Sequence, residues 1–173
     1  MIEQELTYLV KYLPSNLSSS PAKEIIDIYV PIHSDHPKLR VRKNGDIYEI
    51  TKKQPLHAGD ASAQEEQTIS LNADEFAVLC QVPAQKVRKI RYFVECEGHN
   101  AEIDVFQDEL TGLIVADFEF ENKEEKNGFI MPDFCLADIT QERFIAGGVI
   151  CGKTYSDIEI YLEKYSYKKL VVS

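Results

Sequence analysis

The sequence predicts an α+β chain built mainly from antiparallel strands, closed as a barrel or stacked as a sandwich, with helices packed outside. Three observations carry that reading. Short segments rich in β-forming residues recur along most of the chain, separated by turn-forming residues. Within them charged and apolar residues alternate with the period of two that gives a strand two distinct faces. Helical periodicity is confined to a few short stretches.

Taken in order, strands are predicted over 2–10, 24–31, 38–43, 46–53, 65–71, 86–96, 100–107 and 111–121. Lys43-Asn44-Gly45-Asp46 joins the third to the fourth through an Asn-Gly hairpin turn, and Glu97-Gly98-His99-Asn100 joins the sixth to the seventh. The stretches 13–21 and 54–63 have the Pro, Gly, Ser and Asp content of surface loops. Asn72 is placed to cap a short helix through Asp74, Glu75, Phe76 and Leu79 that ends before Pro83. A second amphipathic segment follows Asp138 and stops near Gly147-Gly148. The last helix runs over 156–170, with Ile158, Leu162 and Tyr165 at helical spacing and Lys168 and Lys169 complementing the dipole at its end.

Composition bounds the function. A chain of 173 residues, 44% hydrophobic and 10% aromatic, is long enough for one domain over 1–173 with a real core and too apolar to stay disordered. A net charge of −10 argues against nucleic acid or anionic lipid as partner, since both require a positive surface. No apolar run approaches the roughly 20 residues of a membrane helix. The opening MIEQELTYLV lacks the basic-then-apolar order of a signal peptide, so a cytoplasmic protein with no membrane partner is expected. Cys80, Cys96, Cys135 and Cys151 have no CxxC spacing and read as free thiols. His33 and His36 can grip a metal, although loop histidines are more often simply solvated.

The sign of the charges within each strand is the informative feature. Glu3, Glu5 and Thr7 share a face; so do Arg40 and Arg42, Thr51 and Lys53, Lys89 and Arg91, Glu102 and Asp104, and Asp117, Glu119 and Glu121. Alternation ordinarily means apolar in and polar out. An ordinary solvent face mixes residue types, however, whereas each of these strands carries one sign of charge, and Arg takes three of the basic positions. Arg is favoured for bidentate contact with phosphate. The alternative is a closed barrel whose charged face points inward. Unpaired charges would be prohibitive in a dry core. A wet tunnel holding an anion and divalent cations resolves that conflict, with carboxylates on the cation and Arg and Lys on phosphate oxygens.

At these residues the chain resembles the CYTH superfamily, the triphosphate tunnel metalloenzymes. Glu3-Gln4-Glu5-Leu6-Thr7 is similar to the family's opening E-x-E-x-K, and Leu39-Arg40-Val41-Arg42 follows. Thr51-Lys52-Lys53 fits its T-x-K. Lys89-Ile90-Arg91, Glu102-Ile103-Asp104 and Asp117-Phe118-Glu119 continue in order, and Asp138-Ile139-Thr140 with Arg143-Phe144 resembles its closing segment. The resemblance implies an eight-stranded antiparallel tunnel. It implies that Arg40, Arg42, Lys53, Lys89, Arg91 and Arg143 bind phosphates and that Glu3, Glu5, Asp117 and Glu119 hold Mg²⁺ or Mn²⁺. Glu66, Glu102 and Asp104 are then supporting acids, and Glu5, Arg40, Lys53 and Arg143 stand nearest the chemistry. The implied activity is metal-dependent hydrolysis of a triphosphate compound, inorganic tripolyphosphate first, with ATP or thiamine triphosphate as other substrates. A class IV-like adenylyl cyclase and a non-catalytic phosphate- or polyphosphate-binding module are the alternatives. Three positions depart from the family pattern: Thr7 stands where Lys is usual, Thr68 where a second Glu is common after Glu66, and Asp117 where Glu is usual.

Overall fold

The structure is a computed structural model that describes residues 2–57, 60–96 and 98–172, with only the backbone described at Ile2, Glu3 and Asp60. Its strands are β1 (Ile2–Val10), β2 (Ala22–Val30), β3 (Leu39–Asn44), β4 (Ile47–His57), β5 (Asp60–Leu71), β6 (Gln85–Cys96), β7 (His99–Phe106), β8 (Ile114–Phe120) and β9 (Cys135–Asp138). The helices are α1 (Ala73–Leu79), α2 (Lys123–Gly128), α3 (Gly147–Ile150) and α4 (Tyr155–Glu163). Every strand pairing is antiparallel, in the order β5-β4-β3-β2-β6-β7-β8-β1, and β1 returns to β5 to close an eight-stranded barrel.

The closure is partial. β1 pairs with β5 only from Ile2 to Gln4; from Tyr8 to Val10 the same edge is taken by β9. β5 and β9 thus share one edge of β1, and the strand is paired near both of its ends.

The alternation in the sequence sorts inside from outside as the closed-barrel alternative requires. On β1, β7 and β8 the outer face carries Tyr8, Val10, Ala101, Ile103, Ile114, Ala116 and Phe118, all buried. These pack beneath Leu17, Phe134 and Cys135 and against Phe129 and the C-terminal Leu170 and Val172. Burying each large side chain here contributes about 1.5–3 kcal/mol. The inner face changes character along the axis. Thr7, Asp27, Lys89, Asp104 and Asp117 line its polar part. The next inward positions, Leu9, Tyr29, Val87, Phe106 and Val115, join Phe144, Ile150, Ile158 and Leu162 in a second apolar cluster. One end of the barrel is therefore plugged. α1 lies outside, with Phe76 against Tyr48 at 4.6 Å, whereas α3 reaches the interior and lines the cavity.

Several boundaries differ from the sequence reading. The stretch 54–63 is mostly strand: β4 and β5 continue to His57 and from Asp60, past a register shift beside Pro55. Proline is tolerated at such an irregularity because its missing N–H is not needed there. The segment after Asp138 is not a helix ending at Gly147-Gly148. Asp138 ends β9, and α3 begins at Gly147. Those glycines allow close approach: a Cβ at Gly147 would stand 1.9 Å from Tyr29 Oη, and one at Gly148 would stand 2.3 Å from the Pro37 carbonyl oxygen. α4 stops at Glu163, and Ser166 takes a left-handed φ of 55°, so Lys168 and Lys169 lie beyond the helix they were expected to cap. α2 and β9 were not anticipated. Asn72 does cap α1, through a reciprocal pair with Glu75.

Candidate active site

The barrel encloses a cavity of about 430 Å³ lined by the inward positions of all eight of its strands. Strand period and register bring together Arg40 and Arg42 on β3, Lys53 on β4, and Lys89 and Arg91 on β6, and Arg143, in a turn after β9, lines the same cavity. Glu5, Glu66, Glu102, Asp104, Asp117 and Glu119 line the same cavity. The side chain of Glu3 lies outside the described residues; its backbone pairs with Gln64.

The basic groups are held in place by acids. Arg42 donates from Nε and Nη2 to the two carboxylate oxygens of Asp27, at 2.6 and 2.8 Å. Arg40 Nε is 3.7 Å from the same carboxylate and is buried with no hydrogen-bond partner among the described residues. Arg91 grips Asp104 with Nε and Nη2, each at 2.7 Å, reaches Asp117 at 3.4 Å and also bonds Glu102. Lys89 donates to Asp104 as well. Burial by itself would raise both aspartates. Arg42 and then Arg40 hold Asp27 well below the usual carboxylate range, and Arg91 and Lys89 hold Asp104 at about 2. Burial pushes the Lys89 ammonium down in spite of Asp104.

The other side of the cavity is looser. Lys53 Nζ is 3.3 Å from Glu66 and 3.9 Å from Glu5. Gln64 donates to Glu5 at 2.9 Å. Register places Glu5 directly opposite Glu119 and Asp117 directly opposite Glu102, two like-charged cross-strand pairs that a bound cation would relieve. Such carboxylate oxygens suit a hard divalent ion. Among the described residues no three His, Cys, Asp or Glu side chains already converge on a common point.

The departures have partners of their own. Thr7 Oγ1 donates to Asp117 at 2.7 Å, and Thr7 N–H is accepted by Thr140 Oγ1 at 3.0 Å. Thr68 donates to Glu66 at 2.7 Å and lies 3.0 Å from Thr51 Oγ1. His33 is exposed and does not line the cavity. His36 does, beside Lys38, and a neighbouring cation disfavours a metal there. Sequence reasoning missed Asp27, Tyr29, Lys38 and Gln64. A single Asp in the apolar run Ile25-Ile26-Asp27-Ile28-Tyr29 was the available signal for the first.

A barrel of eight antiparallel strands, with opposite arcs of inward basic and acidic side chains, defines the architecture. The chain shares this eight-stranded tunnel fold with solved structures of an inorganic triphosphatase and of a candidate adenylate cyclase. No family model matches it. The inorganic triphosphatase of Nitrosomonas europaea is 28% identical over 146 residues, covering 83% of this chain and 92% of that protein. The crystal structure of an inorganic triphosphatase superposes with a TM-score of 0.64 at 22% identity, over 87% of this tunnel protein and 95% of that chain. A candidate adenylate cyclase from Bacillus halodurans superposes with a TM-score of 0.57 at 14% identity, over 99% and 93% of the two chains. Among the described residues, no helix of this chain is long and apolar enough to cross a membrane.

Proposed function

We propose that this chain hydrolyses a triphosphate compound, inorganic tripolyphosphate first, with Mg²⁺ or Mn²⁺ as cofactor. The observation that carries the proposal is the orphaned Arg40 Nε, buried in a cavity where five strand-borne cations face a set of carboxylates. A buried guanidinium nitrogen without an acceptor costs about 1–3 kcal/mol, which an oxyanion would recover. The similarity to an inorganic triphosphatase supports the same reading.

Phosphoryl transfer asks a protein for positioning and charge neutralisation more than for covalent chemistry. Arg40, Arg42, Lys53, Lys89 and Arg91 bind and orient the phosphate oxygens. The buried Asp27 and Asp104 fix the guanidinium planes before substrate arrives, so little reorganisation accompanies binding. Glu5, Asp117 and Glu119 would hold the divalent ion, a role the resemblance also implies for Glu3, and the ion would supply neutralisation of phosphate charge and acidification of a water nucleophile. Thr7 Oγ1 fixes the orientation of Asp117 from the position where the family has lysine.

The test is phosphate release from tripolyphosphate, ATP and thiamine triphosphate with Mg²⁺, Mn²⁺ or EDTA, alongside Arg40→Ala. Release from tripolyphosphate that needs the metal and is lost in Arg40→Ala is the expected result. Tight binding without release identifies a phosphate-binding module instead, and cyclic AMP in the ATP arm identifies a cyclase.

A further inference from the structure

The residues that bring β3 into the barrel carry a cation, Lys38, that the family motifs do not contain. Lys38 precedes β3 and lines the cavity with His36 and Arg143. It shares the parity of Arg40 and Arg42. Continuing the β3–β4 register one residue beyond the Leu39–Lys52 pair sets Lys38 beside Lys53. Among the described residues Lys38 has no carboxylate within ion-pair distance. Its Nζ stands 3.3 Å from His36 Nδ1 and 3.1 Å from His36 Nε2. A neutral imidazole has one acceptor nitrogen, so Lys38 donates to a neutral partner that leaves its charge uncompensated. The acid next to Arg143 is also drawn away: Glu142 accepts from Lys164 at 2.7 Å and from Tyr165.

Resting on the triphosphate reading above, we propose that Lys38, with His36 and Arg143, forms a further anion subsite that takes an end phosphate of the substrate. It supplies from a loop the positive charge that Thr7 does not supply from β1. Burial, and then the charge of Arg143, push the Lys38 ammonium down. An end phosphate placed between the two cations removes their repulsion. Substrates with three phosphates are then expected to gain over those with two, because Lys38 lies two same-face positions beyond Arg42 and a longer chain reaches further toward it.

The experiment is calorimetric titration of sodium tripolyphosphate and of pyrophosphate into the protein, with and without Mg²⁺. The proteins compared are wild type, Lys38→Gln, Lys38→Arg and Lys52→Gln, the last an exposed control on the opposite face of β4. The proposal expects Lys38→Gln to weaken tripolyphosphate about tenfold or more and to erase most of its advantage over pyrophosphate. Lys38→Arg should keep both, and Lys52→Gln should match wild type. Equal tripolyphosphate affinity in Lys38→Gln and Lys52→Gln overturns the subsite while leaving the triphosphate reading intact. Equal loss for both ligands overturns the end-phosphate assignment. No tripolyphosphate binding by wild type overturns the triphosphate reading and the subsite together. Binding without phosphate release overturns the hydrolase alone.

Discussion

The two arcs of the tunnel wall carry the same chemistry in different states. On β2, β3, β6 and β7, Asp27 and Asp104 are 2% and 0% exposed and each is locked to arginine by two short hydrogen bonds. On β4, β5 and β1, the Lys53, Glu66 and Glu5 side chains are about a fifth exposed, and their ion pairs are 3.3 and 3.9 Å long. The dry arc has no low-cost alternative arrangement, since breaking it leaves a charge buried and unpaired. The wet arc can exchange partners with water or a ligand at little cost. Under the proposed function, one arc would serve as a preset template for phosphate, and the other would let substrate and a metal ion rearrange the charges. The departures from the family pattern respect this division: Thr7 and Thr68 both touch the looser, acid-rich wall.

The contrast breaks or sharpens under four measurements. The largest effect is expected from Asp104→Asn, which removes the carboxylate from Lys89 and leaves Arg91 only Glu102 and Asp117, and should lower unfolding free energy by about 3–5 kcal/mol in urea titration. Glu66→Gln, on the wet arc, should cost less than about 1 kcal/mol; equal costs would erase the distinction. Next comes acid. Asp104 sits at about 2 against an ordinary 3.8, so its contribution is complete above pH 3.8 and is lost as pH falls toward 2. That group alone should remove about 2 kcal/mol across this window, and urea midpoints that stay flat between pH 4 and pH 2 would contradict it.

Gly147→Ala should follow at about 1–3 kcal/mol, because the new Cβ would overlap Tyr29 Oη and force α3 or Tyr29 to move. Tyr29 lies opposite Arg40, so tripolyphosphate affinity should fall together with stability, whereas a loosely packed plug would leave both unchanged. The smallest stability effect is Lys53→Gln, within about 1 kcal/mol, yet tripolyphosphate binding should weaken about tenfold. A stability loss as large as that of Asp104→Asn would place Lys53 on the dry arc.

The legible part of the site follows from strand geometry. A period of two forces Arg40 with Arg42, Lys89 with Arg91, and Glu102 with Asp104 onto one face each, whatever the rest of the fold does. Asp27 was not legible, because one aspartate in an apolar strand gains meaning only when register sets it opposite Arg42. Lys38 was not legible as a site residue, because loop residues have no period that points their side chains. The extents of α3 and α4 were misread for a related reason. Gly147-Gly148 has the local signature of a helix stop, and only the nearness of Tyr29 and Pro37 shows why residues without a Cβ are needed where α3 begins.

The sequence by itself determined the eight barrel strands in outline, which residues share a face and the sign of charge on that face, because these depend on neighbours two residues apart. That the charged face points inward was decided by closure of the barrel. The tertiary structure decided which acid holds which base, that one end of the barrel is plugged by α3, and that a loop lysine joins the cavity. Those outcomes depend on contacts between residues far apart in the chain, whose distances are set by barrel closure and not by any local pattern.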